Sequence, residues 1–326
     1  RPDALVTANN SLNQPDALFA QCHLFAYNIS EMSQTEDFVV IEDMGTQPRR
    51  LADGTTLEGG PTYAQLHAVA HGKPVVACTI AETDYHTPPS LVRLAMTEAA
   101  AHNTGYLLWP TWPEDQRARM AAAVRPCADW LRGHADRLSV SRPRRDVLLL
   151  LPFQNWVNTK ECRATFLARE LRRRNLQFEV ASEDDFAAKL AGARVLVAEN
   201  AEALSPGRRD RARIFTNMGG TLILGDKSDW ADRVRAALNP PAVVLEAPDT
   251  VRVVVRDTDT EALVFLYNLN IERLSSFEDR VTPAEDLRVT VTALAVGTVT
   301  ASSPDPGAFN GPLSHTAEPT PEGGMR

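Results

Sequence analysis

The sequence has few cysteines and no long apolar run. Its four cysteines lie far apart, at Cys22, Cys78, Cys127 and Cys162, and no two of them form a CxxC pair. This spacing predicts free thiols, most of them in the core, with no disulfide framework and no metal site. No segment approaches the roughly 18 consecutive apolar residues that a membrane-spanning helix needs. The sequence therefore predicts no membrane partner.

The signatures of nucleotide and nucleic-acid binding are also missing. There is no GxGxxG fingerprint and no Walker lysine, and the glycines of "NMGGTLILGD" precede a strand, where they are typical of a helix end and a turn. The formal net charge is -8, and the arginines are interspersed with acidic residues. This balance argues against nucleic acid as the main partner. We expect no cofactor and no nucleic-acid partner.

The composition is that of an ordinary globular protein, and 326 residues suffice for two or three domains. The chain starts at Arg1 with strand-like sequence and ends without a closing apolar strand. We expect it to be a fragment whose N-terminal part, with any localisation signal, is missing. The compartment therefore stays open.

Strands and helices alternate over residues 1–138. Four apolar segments, "DALVTANN", "DFVVIEDMG", "PVVACTIAE" and "GYLLWPTW", are separated or followed by helical patterns at 15–34, in "TYAQLHAVAHG", in "SLVRLAMTEAAAHNTG" with Ser90 as N-cap, and in "PEDQRARMAAAVRPCADWLRGHADRL". Such alternation predicts parallel strands with right-handed crossovers. We interpret this region as the second half of a (β/α)8 TIM barrel.

Polar and aromatic residues gather at the C-terminal ends of these four strands, where parallel α/β sheets bind ligands. The candidates, in chain order, are Asn9, Asn10, Glu42, Asp43, Glu82, Asp84, Tyr85, His86, Trp109 and Trp112. Each has a simpler alternative. The carboxylates also fit helix caps, surface turns or a solvated loop, and the rings also fit core packing.

Residues 145–236 carry a second α/β pattern after the linker "SVSRPRRD". The strands "DVLLLLPF", "LQFEVAS", "ARVLVAEN" and "GGTLILGD" alternate with a helix in "TKECRATFLARELRRRN", with Phe166, Leu167 and Leu171 inward, and with helices at 183–191 and 205–217. This order predicts a flavodoxin-like doubly wound domain. No cysteine follows a strand in a nucleophile elbow, so we expect the domain to be non-catalytic. We expect "FQNW" (153–156) to make an interdomain contact.

The apolar period changes to two over residues 242–326. "TVRVVVRDTDTEALVFLYNLN" predicts two strands joined by a polar turn, and "LRVTVTALAVGTVTAS" adds one or two more. We interpret this region as a small antiparallel β-sandwich that lacks its last strand.

This order of domains resembles the C-terminal two-thirds of β-galactosidase-type enzymes of glycoside hydrolase family 42. In that family a TIM barrel precedes a trimerisation domain related to class I glutamine amidotransferases and a small β domain. "GKPVVACTIAE" resembles the lead into the seventh barrel strand, which carries the nucleophilic glutamate. "YLLWPTW" resembles the eighth strand, and "ARVLVAENAEALSPGRRDRARIFTNMGGTLILGD" resembles the trimerisation segment. The resemblance implies a carbohydrate substrate and a possible homotrimer formed through the middle domain.

The chain departs from the family at the nucleophile. The family's glutamate lies five residues after the proline of Gly-Lys-Pro, where this chain has Thr79, and Glu82 follows three residues later. The strand that carries the acid/base would precede Arg1. The resemblance therefore implies Glu82 as the catalytic carboxylate of this chain, with Glu42 as the alternative, in hydrolysis by two carboxylates.

The other candidates are expected to bind substrate. Trp109 and Trp112 would stack on the C–H face of a pyranose ring. Hydrogen bonds to sugar hydroxyls would come from Asn9, Asn10, Asp43, Asp84, Tyr85 and His86. Two other functions stay open: a non-catalytic carbohydrate-binding barrel, and a structural, oligomer-forming protein that binds no sugar.

Overall fold

The computed structural model of the protein describes residues 4–12, 22–23, 26–44, 47–80, 86–108, 112–159, 162–293 and 295–319. For residues 9–12, 43–44 and 79–80 it describes the backbone alone. Within these ranges the chain builds two parallel sheets covered by helices, followed by antiparallel strands. No helix in them is long and apolar enough to cross a membrane. All four cysteines are free thiols, as the sequence predicts.

The first unit contains a four-stranded parallel sheet whose strands pair in chain order, β1-β2-β5-β6, as successive strands of a (β/α) barrel do. A short hairpin, β3 with β4, interrupts this order and was not predicted. The elements are β1 Asn9–Leu12, α1 Ile29–Met32, β2 Val39–Met44, β3 Arg49–Arg50, β4 Thr56–Leu57, α2 Gly60–Val69, β5 Val75–Ile80, α3 Pro89–Ala101, β6 Gly105–Tyr106, α4 Glu114–Gly133 and α5 Ala135–Val140.

The start of α3 corrects one detail of the sequence analysis. The N-cap residue is Pro88, and Ser90 is already the second residue of the helix. Pro89 occupies the first helical position, where the missing N–H of proline costs nothing. The two prolines therefore set the start of this helix, and Ser90 does not cap it.

Alternating contacts with one core cluster orient the strands of the first sheet. Val39, Ile41, Val75 and Ala77 belong to a core cluster that also contains residues of α2. Because successive side chains of a strand point to opposite faces, the positions between them, including Glu42 and Cys78, belong to the face away from α2. This face would be the interior of a barrel.

The second unit contains four parallel strands in the order β11-β10-β8-β9. Counted within the unit, this is the order 2-1-3-4 that a flavodoxin-like sheet has. The elements are β7 Arg142–Pro143, β8 Val147–Leu150, α6 Phe153–Thr159, α7 Ala164–Arg173, β9 Phe178–Ala181, α8 Phe186–Leu190, β10 Val195–Ala198, α9 Pro206–Asn217, β11 Thr221–Leu224 and α10 Trp230–Ala237.

Helix α7 buries Leu167 and Leu171 completely, as predicted, but Phe166 is 48% exposed. The prediction for Phe166 was wrong because the buried positions Ala164, Leu167, Ala168 and Leu171 follow the spacing i, i+3, i+4, i+7, and Phe166 lies on the opposite side of the helix. The exposed ring lies under the guanidinium of Arg163, 5.6 Å from its centroid. In "FQNW", Phe153 and Trp156 are buried in the same core cluster as strands of the first sheet.

The third unit consists of antiparallel strands. Strands β13 and β14 form the predicted hairpin, and β12 pairs with β17, β15 with β16, and β18 with β19. Strand β7, in the predicted linker, pairs with β13 and so belongs to this unit. The elements are β12 Val243–Glu246, β13 Val251–Asp257, β14 Ala262–Asn268, β15 Ile271–Arg273, β16 Asp279–Val281, β17 Arg288–Val291, β18 Thr300–Ala301 and β19 Gly311–Pro312.

Buried polar side chains join the three units. Between the first and third units, Arg252 of β13 forms an ion pair with Glu58, with its Nε 3.0 Å from Oε2, and the arginine side chain is 1% exposed. Between the second and third units, Gln177 Oε1 accepts a hydrogen bond of 2.9 Å from the backbone N–H of Val255. The units therefore meet at a polar junction as well as through apolar contacts.

Candidate functional site

The candidate site lies at the C-terminal ends of the first sheet. The strand register places Ser11, Glu42 and Cys78 side by side on β1, β2 and β5. Glu42 is 8% exposed and belongs to the face away from α2. A carboxylate near this end of a parallel sheet, on the face away from α2, has the position of an active-site residue in a (β/α) barrel.

Glu42 and Cys78 influence each other electrostatically. Burial, and then the nearby charge of Glu42, raise the pKa of the Cys78 thiol to about 12. Cys78 therefore stays protonated at neutral pH and acts as a small apolar neighbour, not as a nucleophile. A weakly hydrated neighbour of this kind strengthens the interaction of the Glu42 carboxylate with a charge that develops close to it.

For three other strand-end candidates, Asn9, Asn10 and Asp43, the structure describes only the position of the backbone. The prediction that Asn9 and Asn10 end a strand was wrong: they are the first two residues of β1, and residues 4–8 before them form no strand. They pair with Val40 and Ile41, so Asn9 lies two positions before the level of Glu42. Asp43 pairs with Leu12 on one side and Thr79 on the other. Sequence reasoning overlooked Ser11, which shares the level of Glu42, because a single serine after two asparagines is not a distinctive signal.

Four candidates, Glu82, Asp84, Tyr85 and Trp109, lie outside the described residues. Segment 81–85 follows β5 directly, and segment 109–111 begins three residues after the last residue of β6. Their expected roles as catalytic carboxylate, hydrogen-bonding partners and stacking platform stay predictions.

His86 lies where the first unit meets the third. Its ring stacks on Phe277, with the ring centroids 5.2 Å apart and the planes at 29°. Its carbonyl oxygen accepts a hydrogen bond of 3.3 Å from Arg273 Nη2. These contacts hold the end of the loop after β5 against the third unit. A role of His86 in sugar binding stays a prediction.

Trp112 is a core residue in this structure. It is 3% exposed and belongs to a cluster formed by α3 and α4, which includes Val92, Met96 and Met120. Its Nε1–H donates a hydrogen bond of 3.1 Å to the carbonyl oxygen of Thr87. Buried indole rings usually satisfy their N–H in this way. This placement favours the core-packing alternative over a sugar-stacking role.

A second polar cluster, at the junction of the units, was not predicted. Glu98 of α3 is 0% exposed, and its carboxylate accepts hydrogen bonds of 3.0 Å from the backbone N–H groups of Gly59 and Gly60. The one available signal was a glutamate inside the apolar run "LAMTEAAA". Among the described residues no group of three or more His, Cys, Asp and Glu side chains has the geometry of a metal site.

Comparison with known proteins identifies the fold. No protein-family model and no curated protein sequence matches the chain. Among the solved structures that match it are α-L-fucosidase isoenzyme 2 from Paenibacillus thiaminolyticus, with a TM-score of 0.63 and 9% identity over 90% of this chain, and a catalytic mutant of a glycoside hydrolase family 42 β-galactosidase from G. stearothermophilus, with a TM-score of 0.54 and 12% identity over 88% of this chain. The fold is glycoside hydrolase-like. At this identity the likeness concerns the fold alone, and the chain covers 63% and 64% of the length of these two proteins.

Proposed function

We propose that the chain is the C-terminal portion of a glycoside hydrolase that cleaves a glycosidic bond with two carboxylates. The observation that carries the proposal is the position of Glu42, a buried carboxylate on the face of a parallel sheet that points away from α2, near the C-terminal end of its strand. The glycoside hydrolase-like fold supports it. Glu42 is one candidate for the catalytic carboxylate of this chain, and Glu82, in the segment after the neighbouring strand β5, is the other.

The local environment of Glu42 suits catalysis. Ser11 and Cys78 flank it on the adjacent strands, and it is almost excluded from water. Two carboxyl groups on either side of a glycosidic bond protonate the leaving oxygen and attack, or activate water against, the anomeric carbon. In this proposal the second carboxylate comes from a barrel strand that precedes Arg1.

The test is hydrolysis of a panel of aryl glycosides by the full-length protein. The change Glu42→Gln keeps the shape of the side chain and removes its charge. If Glu42 is catalytic, kcat/KM falls at least about a thousandfold, which corresponds to about 4 kcal/mol in the barrier. Glu82→Gln is measured in parallel.

Glu36→Gln is the matched control. Glu36 is also buried, at 3% exposure, but it precedes β2 and so lies at the opposite end of the strand. Its Oε1 accepts a hydrogen bond of 2.6 Å from the hydroxyl of Tyr27. We expect this variant to lose stability and to retain kcat/KM within a few-fold. A loss below tenfold in Glu42→Gln together with a large loss in Glu82→Gln moves the role to Glu82. Small losses in both variants overturn the enzymatic proposal and leave carbohydrate binding without catalysis.

A further inference from the structure

A cavity of about 220 Å³ lies where the three units meet. Its lining includes His67 of α2, His102 at the end of α3, Arg172 of α7, Glu179 of β9, Lys189 of α8 and Arg256 of β13. One water molecule needs a cavity of only about 10–15 Å³. The cavity is therefore large enough for a polyatomic ligand, and its walls carry more cations than anions.

Two of the cations in the wall are neutralised by nearby carboxylates. Lys189 Nζ lies 3.0 Å from Glu179 Oε1 and 2.8 Å from Asp185 Oδ2. Arg144, which also lines the cavity, forms a bidentate ion pair with Asp257. These two side chains leave no net charge for a ligand to balance.

In the described part of the chain Arg256 and Arg172 are buried without a carboxylate at ion-pair distance, although the carboxylates of Glu58 and Glu98 act electrostatically on Arg172. Arg256 is 1% exposed, and its side chain donates to Ser141, with Nε donating to Oγ at 2.8 Å and Nη2 donating to the carbonyl oxygen at 2.5 Å. Arg172 is 2% exposed, and its Nη1 donates to the carbonyl oxygen of Val253 at 3.3 Å, while Nε has no hydrogen-bond partner in the described part of the chain. Within the same ranges neither guanidinium forms an ion pair.

The histidines of the cavity do not add positive charge. Burial, and then the positive charge of Arg256, lower the pKa of His67 to about 4. Burial, and then Arg172, lower the pKa of His102 well below its ordinary value. Both rings are therefore neutral at physiological pH. Burying a charge without a partner costs several kcal/mol, so the two guanidinium groups form a site that an anion would complete.

We propose that this cavity binds a tetrahedral oxyanion, a phosphate or sulfate group, between Arg256 and Arg172. The planar guanidinium fork matches the oxygens of such an anion and binds them through charge-assisted hydrogen bonds. Arg172 comes from the second unit, Arg256 from the third, and the two neutral histidines from the first. A bound oxyanion would therefore hold the three units together, away from the candidate active site at the end of the first sheet.

The test is titration of the chain with sodium phosphate, by calorimetry and by thermal unfolding, in a chloride buffer of constant ionic strength. We expect one saturable site and a Tm that rises as the site fills. Arg256→Met should weaken phosphate binding at least tenfold. Without phosphate its Tm should equal or exceed that of the wild type, because the substitution removes an uncompensated buried charge.

Arg288→Met is the matched control. Arg288 lies on β17 in the third unit, its side chain is 75% exposed, and it pairs with Glu246 on the surface. We expect phosphate binding unchanged in this variant. If Arg256→Met does not fold, Arg256→Lys replaces it, since lysine keeps the charge but loses the fork, and binding should weaken several-fold.

Phosphate and sulfate stabilise most proteins at high concentration because they are excluded from protein surfaces. A Tm that rises without saturation, or by the same amount in wild type and Arg256→Met, would overturn the proposal, as would the absence of binding heat in the wild type. A hexose 6-phosphate and its unphosphorylated hexose distinguish the source of the anion. Tighter binding of the ester than of inorganic phosphate assigns the site to a phosphorylated sugar, and equal or weaker binding assigns it to the free ion.

Discussion

Glu98 caps a helix to which it does not belong, and its titration should be measurable. Helix α2 begins at Gly60, and Gly59 before it has no side chain to bind the free N–H groups of the first turn. Glu98 of α3 supplies this cap, since its two carboxylate oxygens accept hydrogen bonds of 3.0 Å from the N–H of Gly59, and Oε1 accepts a third of 3.0 Å from Gly60. The carboxyl group is 0% exposed.

Burial, and then the negative charge of Glu58, raise the pKa of Glu98 from 4.5 to about 7, against the opposing effect of the backbone donors. Between these two values the folded protein keeps a proton that the unfolded chain has lost. The stabilisation from this proton is therefore complete below pH 4.5 and is lost as the pH rises to about 7. The linkage relation gives a loss of about 2.5 kcal/mol between pH 5 and pH 8.

The variant Glu98→Gln isolates this effect, because glutamine keeps one carbonyl oxygen for the N–H groups and does not titrate. We expect the free energy of unfolding of the variant, relative to the wild type, to rise by about 2–3 kcal/mol from pH 5 to pH 8. The assay is urea unfolding of both proteins at the two pH values. The lowered pKa values of His67 and His102 make both proteins less stable as the pH falls below 6.5, so their effect cancels in the difference.

A difference between variant and wild type that stays constant from pH 5 to pH 8 would refute this reasoning, because it would mean that Glu98 is ionised throughout. Glu98→Ala serves as the second comparison. It leaves the buried N–H groups of Gly59 and Gly60 without an acceptor, which costs about 1–3 kcal/mol for each group. We expect Glu98→Ala to be the least stable of the three proteins at pH 5, where the wild type gains most from its proton.

Two further predictions concern the same junction. Glu58→Ala leaves Arg252 as an unpaired buried charge, and we expect urea unfolding to show a loss of about 3–5 kcal/mol, whereas Glu58→Leu combined with Arg252→Met should recover most of it. Gly60→Ala should lower the Tm, because its Cβ would lie 2.4 Å from Nε2 of the buried His102. Gly207→Ala in α9 is the control, since apart from its chain neighbours and the backbone of its own helix no described atom lies within 4 Å of the added Cβ, and we expect its Tm to be unchanged or slightly higher.

The central strands β2, β5, β8 and β10 could be predicted because burial on both faces leaves a clear signal, whereas β1 begins six residues after the predicted start and β6 is only two residues long. The segments "VLLL" of β8 and "VLVA" of β10 are continuous apolar runs, and all their residues are buried. Strands β3, β4 and β7 could not be predicted, because two residues carry no period. The pairing of β7 with β13 depends on backbone hydrogen bonds between distant segments, and it turns an apparent linker into the edge of a sheet.

The place of Glu42 on its strand could be predicted from the sequence, and its role stays a prediction. Glu42 lies at the strand end where the sequence places it, because the polar residues that follow "FVVI" mark the end of the buried run. The expectation that a residue after a strand lies at the exposed strand end does not hold for Trp112. It comes six residues after β6, and hydrophobic contact with α3 and α4 competes with exposure at the strand end. For an aromatic ring in such a segment, the sequence alone does not distinguish packing against the helices from exposure at the strand end.

The burial of Arg252 and Arg256 was not predicted, because alternating charged residues in a strand usually indicate a face exposed to water. In "VRVVVRD" of β13 the two arginines share one face of the strand, and an alternation of this kind is typical of a strand with that face in water. Yet Arg252 and Arg256 are each 1% exposed, because the first unit covers this face, and Val254 between them packs with Leu91 of α3. The arginines therefore belong to an interface between units, where Arg252 pairs with the carboxylate of Glu58 and Arg256 has no carboxylate at ion-pair distance among the described residues. It is this asymmetry, invisible in the sequence, that makes the cavity beside Arg256 a site for an anion.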